Sequence, residues 1–236
     1  MNTTADPLKK GKDWFRQKKW TPFPFQLNAW QSYLDGYHGL VNAPTGSGKT
    51  YALLIAVLLE YLQNLGDSKP KKDNGLQVIW ITPICALGKE IEMSARRAVE
   101  GMGVPWRVAV RSGDTSSKER ARQKDKPPEF LITTPESLHL LMSQKGYAAY
   151  FKNLRSVIVD EWHELMGSKR GVQTELALSK LKTVSNRLKV WGISATMGNM
   201  DQSVQVLLGS DYSKKKVKII RADIKKEIEI QSVFLF

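Results

Sequence analysis

The segment NAPTGSGKT, residues 42–50, contains the residue types of a phosphate-binding loop. It follows an apolar segment, precedes a helical one, and matches the pattern G-x-x-x-x-G-K-[ST] except that Ala43 replaces the first glycine. Glycines let the backbone bring N–H groups close to an anion, so this loop is expected to hold nucleotide phosphates. Lys49 would reach the β- and γ-phosphates, and the Thr50 hydroxyl would bind Mg²⁺. The other loop residues expected at the nucleotide are Thr45, Gly46, Ser47 and Gly48.

Two adjacent acids, Asp160 and Glu161, follow an apolar run in the segment VIVDEWHEL, residues 157–165. Neighbouring carboxylates repel each other unless a cation lies close by. We therefore expect Asp160 to reach Mg²⁺, and Glu161 to orient or deprotonate the water that attacks the γ-phosphate. Taken alone, the two acids could also belong to an exposed acidic turn.

Alternating apolar and helical segments predict the framework that brings these groups together. The expected strands are apolar runs at 39–43, 76–83, 106–110, 130–134, 156–160 and 189–196. The expected helices are 50–62, 84–101, 115–124, 135–144, 171–184 and 200–208. Buried strands separated by helices are typical of a parallel sheet covered on both faces, in a doubly wound α/β domain. Because the carboxyl ends of parallel strands share one edge, the phosphate loop and the acids should meet there.

The composition excludes several classes of protein. The chain has 236 residues, 42% of them hydrophobic, which suits one sizeable core. No apolar run approaches the roughly 20 residues needed to cross a bilayer, and the first residues lack the apolar run of a secretory signal. Cys85 is the single cysteine, so no internal disulfide is expected, and these features together favour a cytoplasmic protein. The net charge of +13 attracts polyanions, so nucleic acid is the expected partner, with a merely solubilising surface as the alternative.

The motifs APTGSGKT, TPICAL, TTPESL, DEWH and SAT occur in this order and resemble those of the superfamily 2 helicases over roughly residues 20–210. The resemblance implies the first of two RecA-like lobes, an α/β P-loop NTPase domain with a mostly parallel sheet. The segments RSGDT and DEWHELMGSKRGVQTELALSKL narrow it to DExH proteins of the large-helicase-related type. They look most like the bacterial ligase-associated DEXH-box DNA helicases. This likeness implies ATP and Mg²⁺ as cofactors, single-stranded DNA as partner, 3′-to-5′ movement, and repair beside a ligase and a nuclease.

The resemblance also assigns roles on the nucleotide side. Gln26, in TPFPFQ, would read adenine with an aromatic side chain nearby to stack on the base, because a glutamine amide can both donate to and accept from the adenine edge. A glutamine that simply starts a helix is the alternative. His163 would be one of the catalytic residues and would link the nucleotide site to the segment SAT. This segment, which consists of Ser194, Ala195 and Thr196, would couple hydrolysis to strand movement.

Other matching residues would contact the sugar–phosphate backbone of a strand. Short hydroxyl side chains and free N–H groups at helix starts suit phosphate oxygens but read no base, so binding should tolerate any sequence. Helix capping is the alternative for each residue. The segment KRG, residues 169–171, could also touch the strand, although a surface loop is the favoured interpretation. The expected strand contacts are Thr82, Pro83, Arg111, Gly113, Asp114, Thr115, Thr134, Pro135, Glu136 and Ser137.

Three regions are expected along the chain. Residues 1–36 would form an N-terminal helical segment that contains Gln26, 37–212 the RecA-like lobe, and 213–236 the start of a linker to a second lobe. The aromatics of residues 9–20 are expected to pack on the core, with a nucleic-acid platform as the alternative. The ending SVFLF fits either an edge strand or a cut before that second lobe, and the cut is favoured because no QxxGRxGR-like motif occurs. Arginines supplied by a second lobe raise phosphoryl-transfer rates by about 10³–10⁵. The chain alone should therefore bind ATP and strands weakly and hydrolyse ATP slowly.

Alternatives on the same scaffold remain open. An RNA helicase lobe, a double-strand translocase lobe and a nucleotide-gated nucleic-acid-binding module would share most of these motifs. A small-molecule kinase would share the phosphate loop, but no lid-like arginine segment follows it, although the fold alone does not exclude this class.

Overall fold

The computed structural model describes residues 6–66, 68–69, 73–195, 198–214 and 216–224. They form a seven-stranded sheet in the order β3-β4-β2-β5-β6-β1-β7, in which every neighbouring pair of strands is parallel. The strands are β1 His38–Asn42, β2 Val78–Ile81, β3 Val108–Arg111, β4 Phe130–Thr133, β5 Ser156–Val159, β6 Lys189–Ser194 and β7 Val217–Arg221. The predicted α/β fold with a parallel sheet is confirmed.

Helices cover both faces of this sheet. They are α1 Lys9–Gln17, α2 Pro24–Leu34, α3 Lys49–Leu65, α4 Cys85–Gly101, α5 Ser117–Asp125, α6 Pro135–Met142, α7 Tyr147–Phe151, α8 Trp162–Leu165, α9 Lys169–Val184 and α10 Met200–Leu208, and a 3₁₀ turn spans Gly209–Lys214. Strands β2, β4 and β5 are buried at every position, as continuous apolar runs predict for central parallel strands.

Two apolar cores lie on opposite faces of the sheet. One contains side chains of α1, α2, α3 and α4, and the other contains side chains of α6 to α10. Helix α3 is buried at every position from Ala52 to Leu59, because the sheet covers one side of it and the helices α1, α2 and α4 cover the other. This burial explains why the sequence of α3 is apolar nearly all round. It also fixes the position of α3, and with it the phosphate loop at the amino end of the helix.

The N-terminal segment packs on the first core. Trp14 and Phe15 of α1 are buried, and Phe15 contacts Trp30 of α2 edge to face with ring centroids 5.3 Å apart. The expectation that these aromatics pack on the core is confirmed for Trp14 and Phe15, whereas Trp20 is 40% exposed.

The edge of the sheet beside β1 is formed by β7. Val217–Arg221 pairs in parallel with β1, Ile220 is buried, and the backbone N–H of Ala222 donates to the Asn42 carbonyl at 2.8 Å. The ending SVFLF, for which an edge strand was one interpretation, lies with the rest of residues 225–236 outside the described part of the chain. A linker that begins near residue 213 stays a prediction.

Within the described residues, no helix combines the length and the apolar character that crossing a bilayer requires.

Candidate nucleotide site and nucleic-acid face

The phosphate loop connects the carboxyl end of β1 to the amino end of α3. Gly46 and Gly48 have positive φ angles of 77° and 74°, which side chains with a Cβ rarely adopt. The Ser47 hydroxyl closes the turn by donating to the Pro44 carbonyl at 2.6 Å. Backbone N–H groups at the start of a helix, together with glycine-enabled turns, provide donors for an anion. The predicted strand–loop–helix arrangement is present.

The two acids follow β5 at the same edge of the sheet. Asp160 is buried; its Oδ1 accepts from the Glu161 backbone N–H at 2.9 Å, and its Oδ2 accepts from the Trp80 indole at 3.2 Å. Glu161 has a φ angle of 45°, in the left-handed region that residues other than glycine seldom occupy. Such backbone strain often accompanies functional sites. The strained residue also starts helix α8, so its position is fixed from both sides.

A direct contact joins the phosphate loop to the acids. The ammonium Nζ of Lys49 lies 2.6 Å from Oε1 of Glu161, and both side chains are largely buried. These residues are 112 positions apart in the sequence, so only the sheet topology brings them together. The juxtaposition expected from the two motifs is present, whereas the role of each residue at a nucleotide stays a prediction.

The electrostatics of the acid pair favour a cation at this place. Burial, and then the neighbouring Glu161 carboxylate, raise the pKa of Asp160 from 3.8 to about 6. The second carboxylate oxygen of Glu161, Oε2, is buried, has no hydrogen bond within the described residues, and lies 3.5 Å from Nδ1 of His163. An added positive charge would lower the pKa of Asp160 and compensate the unpaired oxygen.

Magnesium suits this donor set. The described residues contain no group of three or more His, Cys, Asp or Glu side chains that could hold a metal by themselves. Mg²⁺ rarely uses such an all-protein cage and is usually bound by one or two carboxylates, waters and substrate phosphates. Asp160 and Thr50, which lies in the first turn of α3, fit that pattern.

Gln26 is engaged within the chain. Its Oε1 accepts from the Phe23 backbone N–H at 2.8 Å, which caps helix α2, and its Nε2 donates to the Gly48 carbonyl at 2.9 Å. The helix-start alternative is therefore present, and the same amide connects α2 to the phosphate loop. Each amide atom keeps capacity for one further hydrogen bond, so adenine reading stays a prediction. Phe23 is 43% exposed beside it and stacks on Phe25, which makes Phe23 the accessible aromatic in this segment.

His163 connects the acids to the end of β6. Its Nδ1 lies 2.9 Å from the Ser194 hydroxyl. The backbone N–H of Ala43 also donates to the Ser194 carbonyl at 3.0 Å, so β6 contacts the phosphate loop as well. The link expected between the DEWH box and SAT is present for Ser194, Ala195 is half-buried next to it, and Thr196 lies outside the described residues.

The residues expected at a strand lie on the carboxyl edge but are unequally exposed. Gly113 and Asp114 are exposed. Helix capping, the alternative for these residues, is observed at Thr134, whose Oγ1 accepts from the Ser137 backbone N–H at 3.4 Å. Half-buried are Thr115 and Glu136, and buried are Thr82, Pro83, Thr134, Pro135 and Ser137. Their predicted contacts with a strand stay predictions.

Arg111 is only 4% exposed, which its sequence context did not reveal. Its guanidinium donates to the Arg120 carbonyl at 3.3 Å, and burial lowers the pKa of Arg111 from its usual value. Arg120 in turn donates to the Ser112 and Gly113 carbonyls at 3.0 and 2.8 Å. In this conformation the hydrogen bonds of the two arginines hold the RSGDT loop in place. A phosphate contact by Arg111 stays a prediction, and it requires the buried side chain to move.

Arg170 belongs to the segment KRG, for which a strand contact was the less favoured interpretation. Residues 169–171 were expected in a surface loop, and this was wrong: they form the first turn of α9. Gly171 suggested a turn, but a Cβ at this position would collide with the Leu165 carbonyl oxygen, so the glycine permits close helix packing. Arg170 contacts Glu136 and Pro83, which belong to two of the segments expected at a strand.

The DEAD/DEAH box helicase family model matches residues 23–203, more than half of the chain. The chain belongs to the DEAD/DEAH box helicase family. It is 35% identical over 231 residues to the ATP-dependent helicase Lhr-Core of Methanothermobacter thermautotrophicus, covering 94% of this chain and 27% of the relative. It is also 35% identical to the Lhr helicase/probable uracil glycosylase of Mycolicibacterium smegmatis, covering 87% of this chain and 14% of that relative. Resemblance to the large-helicase-related type of superfamily 2 helicase, over the first lobe, is confirmed.

A solved structure supports the same family assignment. The structure of Mycobacterium smegmatis helicase Lhr bound to ssDNA and AMP-PNP aligns with a TM-score of 0.78 at 33% identity, covering 94% of this chain and 29% of that one. The chain thus spans about a quarter or less of the length of these helicase relatives. These relatives carry the Lhr name, so the narrower likeness to ligase-associated helicases stays a prediction.

Proposed function

We propose that this chain is the ATP-binding lobe of an ATP-dependent DNA helicase or translocase. The observation that carries the proposal is the contact between Lys49 and Glu161, 2.6 Å long, at the carboxyl edge of a helicase-family sheet. It joins a cation suited to phosphates with a carboxylate suited to activating water, beside a second acid that needs a positive charge. Phosphoryl transfer requires mainly positioning and charge neutralisation, which these groups supply.

Each residue then has one task when ATP binds. Lys49 exchanges its contact with Glu161 for the β- and γ-phosphates, while loop N–H groups hold the phosphate oxygens. Glu161, released from the ammonium, orients and deprotonates the attacking water. Thr50 and Asp160 would hold Mg²⁺, which supplies positive charge to the phosphates. His163 keeps the DEWH box in contact with Ser194, so a change at the nucleotide reaches β6.

DNA is the proposed nucleic acid because the structure of the mycobacterial relative was solved with bound single-stranded DNA. The net charge of +13 on this chain also suits a polyanion. The proposal includes 3′-to-5′ movement and repair beside a ligase and a nuclease, as the ligase-associated resemblance implies, and a cytoplasmic location, which the composition favours. It also includes a second RecA-like lobe that closes over the nucleotide. The first lobe leaves Glu161 Oε2 without a hydrogen bond among the described residues, which suits a site completed by further groups.

ATP turnover by the complete protein tests this proposal. Turnover is measured without nucleic acid and with single-stranded DNA, single-stranded RNA and duplex DNA of equal length. We expect the largest stimulation with single-stranded DNA. Preferential stimulation by RNA or by duplex would transfer the assignment to an RNA helicase or to a double-strand translocase. ATP binding without turnover on any strand would favour the nucleotide-gated binding module, against which the intact set Lys49, Asp160 and Glu161 argues.

A further inference from the structure

Arg170 connects two segments that are far apart in the sequence and lie on the same face. Its Nε donates to Oε1 of Glu136 at 2.5 Å, and its Nη1 donates to the Pro83 carbonyl at 3.1 Å. Pro83 precedes α4, and Glu136 lies in the first turn of α6. One planar guanidinium therefore holds two helix starts together, a geometry that the single ammonium of lysine cannot reproduce.

The helix that carries Arg170 is joined tightly to the DEWH box. Helix α8 begins directly after Glu161 and is followed by α9 after three residues, 166–168. The Ser168 hydroxyl donates to the Leu165 carbonyl at 2.6 Å and accepts from the Gly171 backbone N–H at 3.1 Å. Gly171 packs so close to Leu165 that a Cβ has no room. Because these contacts are tight, a displacement of α8 would also move Arg170.

The other end of this connection lies at the nucleotide site. Glu161 contacts Lys49, which the nucleotide phosphates would engage. A continuous set of contacts thus runs from the phosphate loop through α8 and α9 to Pro83 and Glu136. Contact alone does not make a coupling path, because coupling requires that both sites bias the same element. The α8–α9 junction contacts both sites and is therefore placed to be that element, and a change in coupling on substitution of Arg170 would show the bias.

We infer that Arg170 is a positioning residue that couples nucleotide binding to strand binding. This inference rests on the proposed function. The ion pair with Glu136 is about half exposed, so its own contribution to folding is small. The effect of Arg170 is instead to fix the starts of α4 and α6 relative to each other. Their relative position decides how well both helix starts can contact one nucleic-acid strand. Because coupling is reciprocal, the nucleotide changes strand affinity by the factor by which the strand changes nucleotide affinity.

Strand affinity of the complete protein, measured with and without AMP-PNP and Mg²⁺, tests this inference. The probe is a fluorescein-labelled single-stranded oligonucleotide, and the coupling factor is the ratio of the two Kd values. In Arg170→Ala we expect this factor to fall at least about fivefold towards 1, the lower end of typical coupling factors. Arg170→Lys, which keeps the charge but not the planar fork, should lose most of the coupling too. The Kd for AMP-PNP without a strand should stay within about twofold of wild type, since Arg170 does not touch the phosphate loop.

Arg96→Ala is the matched control. Arg96 also bonds one carboxylate and one carbonyl, Glu92 Oε1 and Val108 O, each at 2.7 Å, and its coupling factor should equal that of wild type. An unchanged factor in Arg170→Ala, when wild type shows coupling, would overturn the inference and leave the proposed function intact. Weaker AMP-PNP binding without a strand, or equal losses in both strand affinities at constant ratio, would show a merely structural role. Wild type that binds no strand in either state would remove the proposed function itself.

Discussion

Glu129, at the amino edge of the sheet, and Asp160, at the carboxyl edge, are both buried carboxylates with different surroundings. Both oxygens of Glu129 are satisfied by Arg107: Oε2 accepts from its backbone N–H at 2.9 Å and from Nε at 3.0 Å, and Oε1 accepts from Nη2 at 2.9 Å. Asp160 instead lies beside a second acid, and its pKa is raised to about 6. The amino edge is electrostatically complete, whereas the carboxyl edge needs a further positive charge. Glu129 is thus paired with a cation within the fold, whereas Asp160 is held by two neutral donors, the Trp80 indole and the Glu161 backbone N–H.

The largest expected effect is that of Lys49→Ala, which removes the cation of the carboxyl edge. Nucleotide affinity should fall at least about 100-fold, which corresponds to roughly 3 kcal/mol, because no other described side chain of the loop carries positive charge towards the phosphates. Isothermal titration with AMP-PNP and Mg²⁺ measures this. Lys12→Ala is the control, since Lys12 also pairs with an acid, Asp6, at 2.9 Å but on the surface. Equal affinities of wild type and Lys49→Ala would contradict the nucleotide assignment.

Glu161→Gln should separate binding from chemistry. Glutamine keeps the size of the side chain but cannot accept the proton of the attacking water, so turnover should fall about 10²- to 10⁴-fold. Affinity for AMP-PNP should stay within about threefold, because the phosphate loop is unchanged. Steady-state ATP turnover of the complete protein is compared with that of Glu164→Gln, a neighbouring and more exposed position. Normal turnover in Glu161→Gln would refute the assigned base.

Glu129→Gln tests the complete edge and should affect stability alone. Removing one partner of a buried ion pair costs about 3–5 kcal/mol, and we expect about 2–3 kcal/mol here because Arg107 is 35% exposed. Urea unfolding of the isolated chain gives this change. The AMP-PNP affinity of the folded variant should equal that of wild type. A variant as stable as wild type would mean that the two edges do not differ as described.

Asp160→Asn should change stability in the opposite direction to Glu129→Gln, by an amount that depends on pH. The pKa of Asp160 is raised from 3.8 to about 6 in the folded protein. Below pH 4 the carboxyl group is largely protonated and destabilises the folded state little, whereas above pH 6 it is ionised and the folded state bears the full cost of burying the charge. Wild type should therefore lose about 2–3 kcal/mol relative to the variant as pH rises from 4 to 7 without nucleotide. The single oxygen of asparagine serves Trp80 and the Glu161 N–H less well, but that cost does not vary with pH.

The measurement for Asp160→Asn is urea unfolding at pH 4, 5, 6 and 7. Asp201→Asn, at an exposed position in the first turn of α10, is the control and should show no comparable trend. A difference between wild type and Asp160→Asn that stays constant over this range would show that the carboxyl edge carries no such electrostatic penalty.

The sequence predicted the sheet and most helices from local patterns, and the meeting of the phosphate loop with the two acids from the rule that the carboxyl ends of parallel strands share one edge. Apolar runs specify buried parallel strands, and a glycine loop before a helix specifies its own shape. The strand 76–83 was predicted too long: β2 spans Val78–Ile81, and Pro83 has no N–H with which to extend it. The position of Val217–Arg221 at the sheet edge beside β1 was not predicted, because the pattern of its residues does not reveal which neighbour accepts it.

Contacts between distant segments could not be predicted in the same way. The Gln26 bond to the Gly48 carbonyl, the burial of Arg111 and the bridge from Arg170 to Glu136 all depend on how helices sit on the sheet. Gly171 misled the prediction because a glycine needed for close packing resembles a glycine needed for a turn. The positive φ angle of Glu161 was not predicted either, because no residue type in this segment indicates it. The strained backbone is held by the contact with Asp160 on one side and by helix α8 on the other.

A crystal structure of this chain grown with AMP-PNP and Mn²⁺ tests the central claim most directly. The anomalous signal of Mn²⁺ locates the metal independently of the nucleotide density. We expect the metal between the Thr50 hydroxyl and the Asp160 carboxylate, directly or through water, and Lys49 Nζ on the phosphates instead of 2.6 Å from Glu161. A nucleotide bound elsewhere, with Lys49 still paired to Glu161 and no metal near Asp160, would contradict the claim that these groups share one nucleotide.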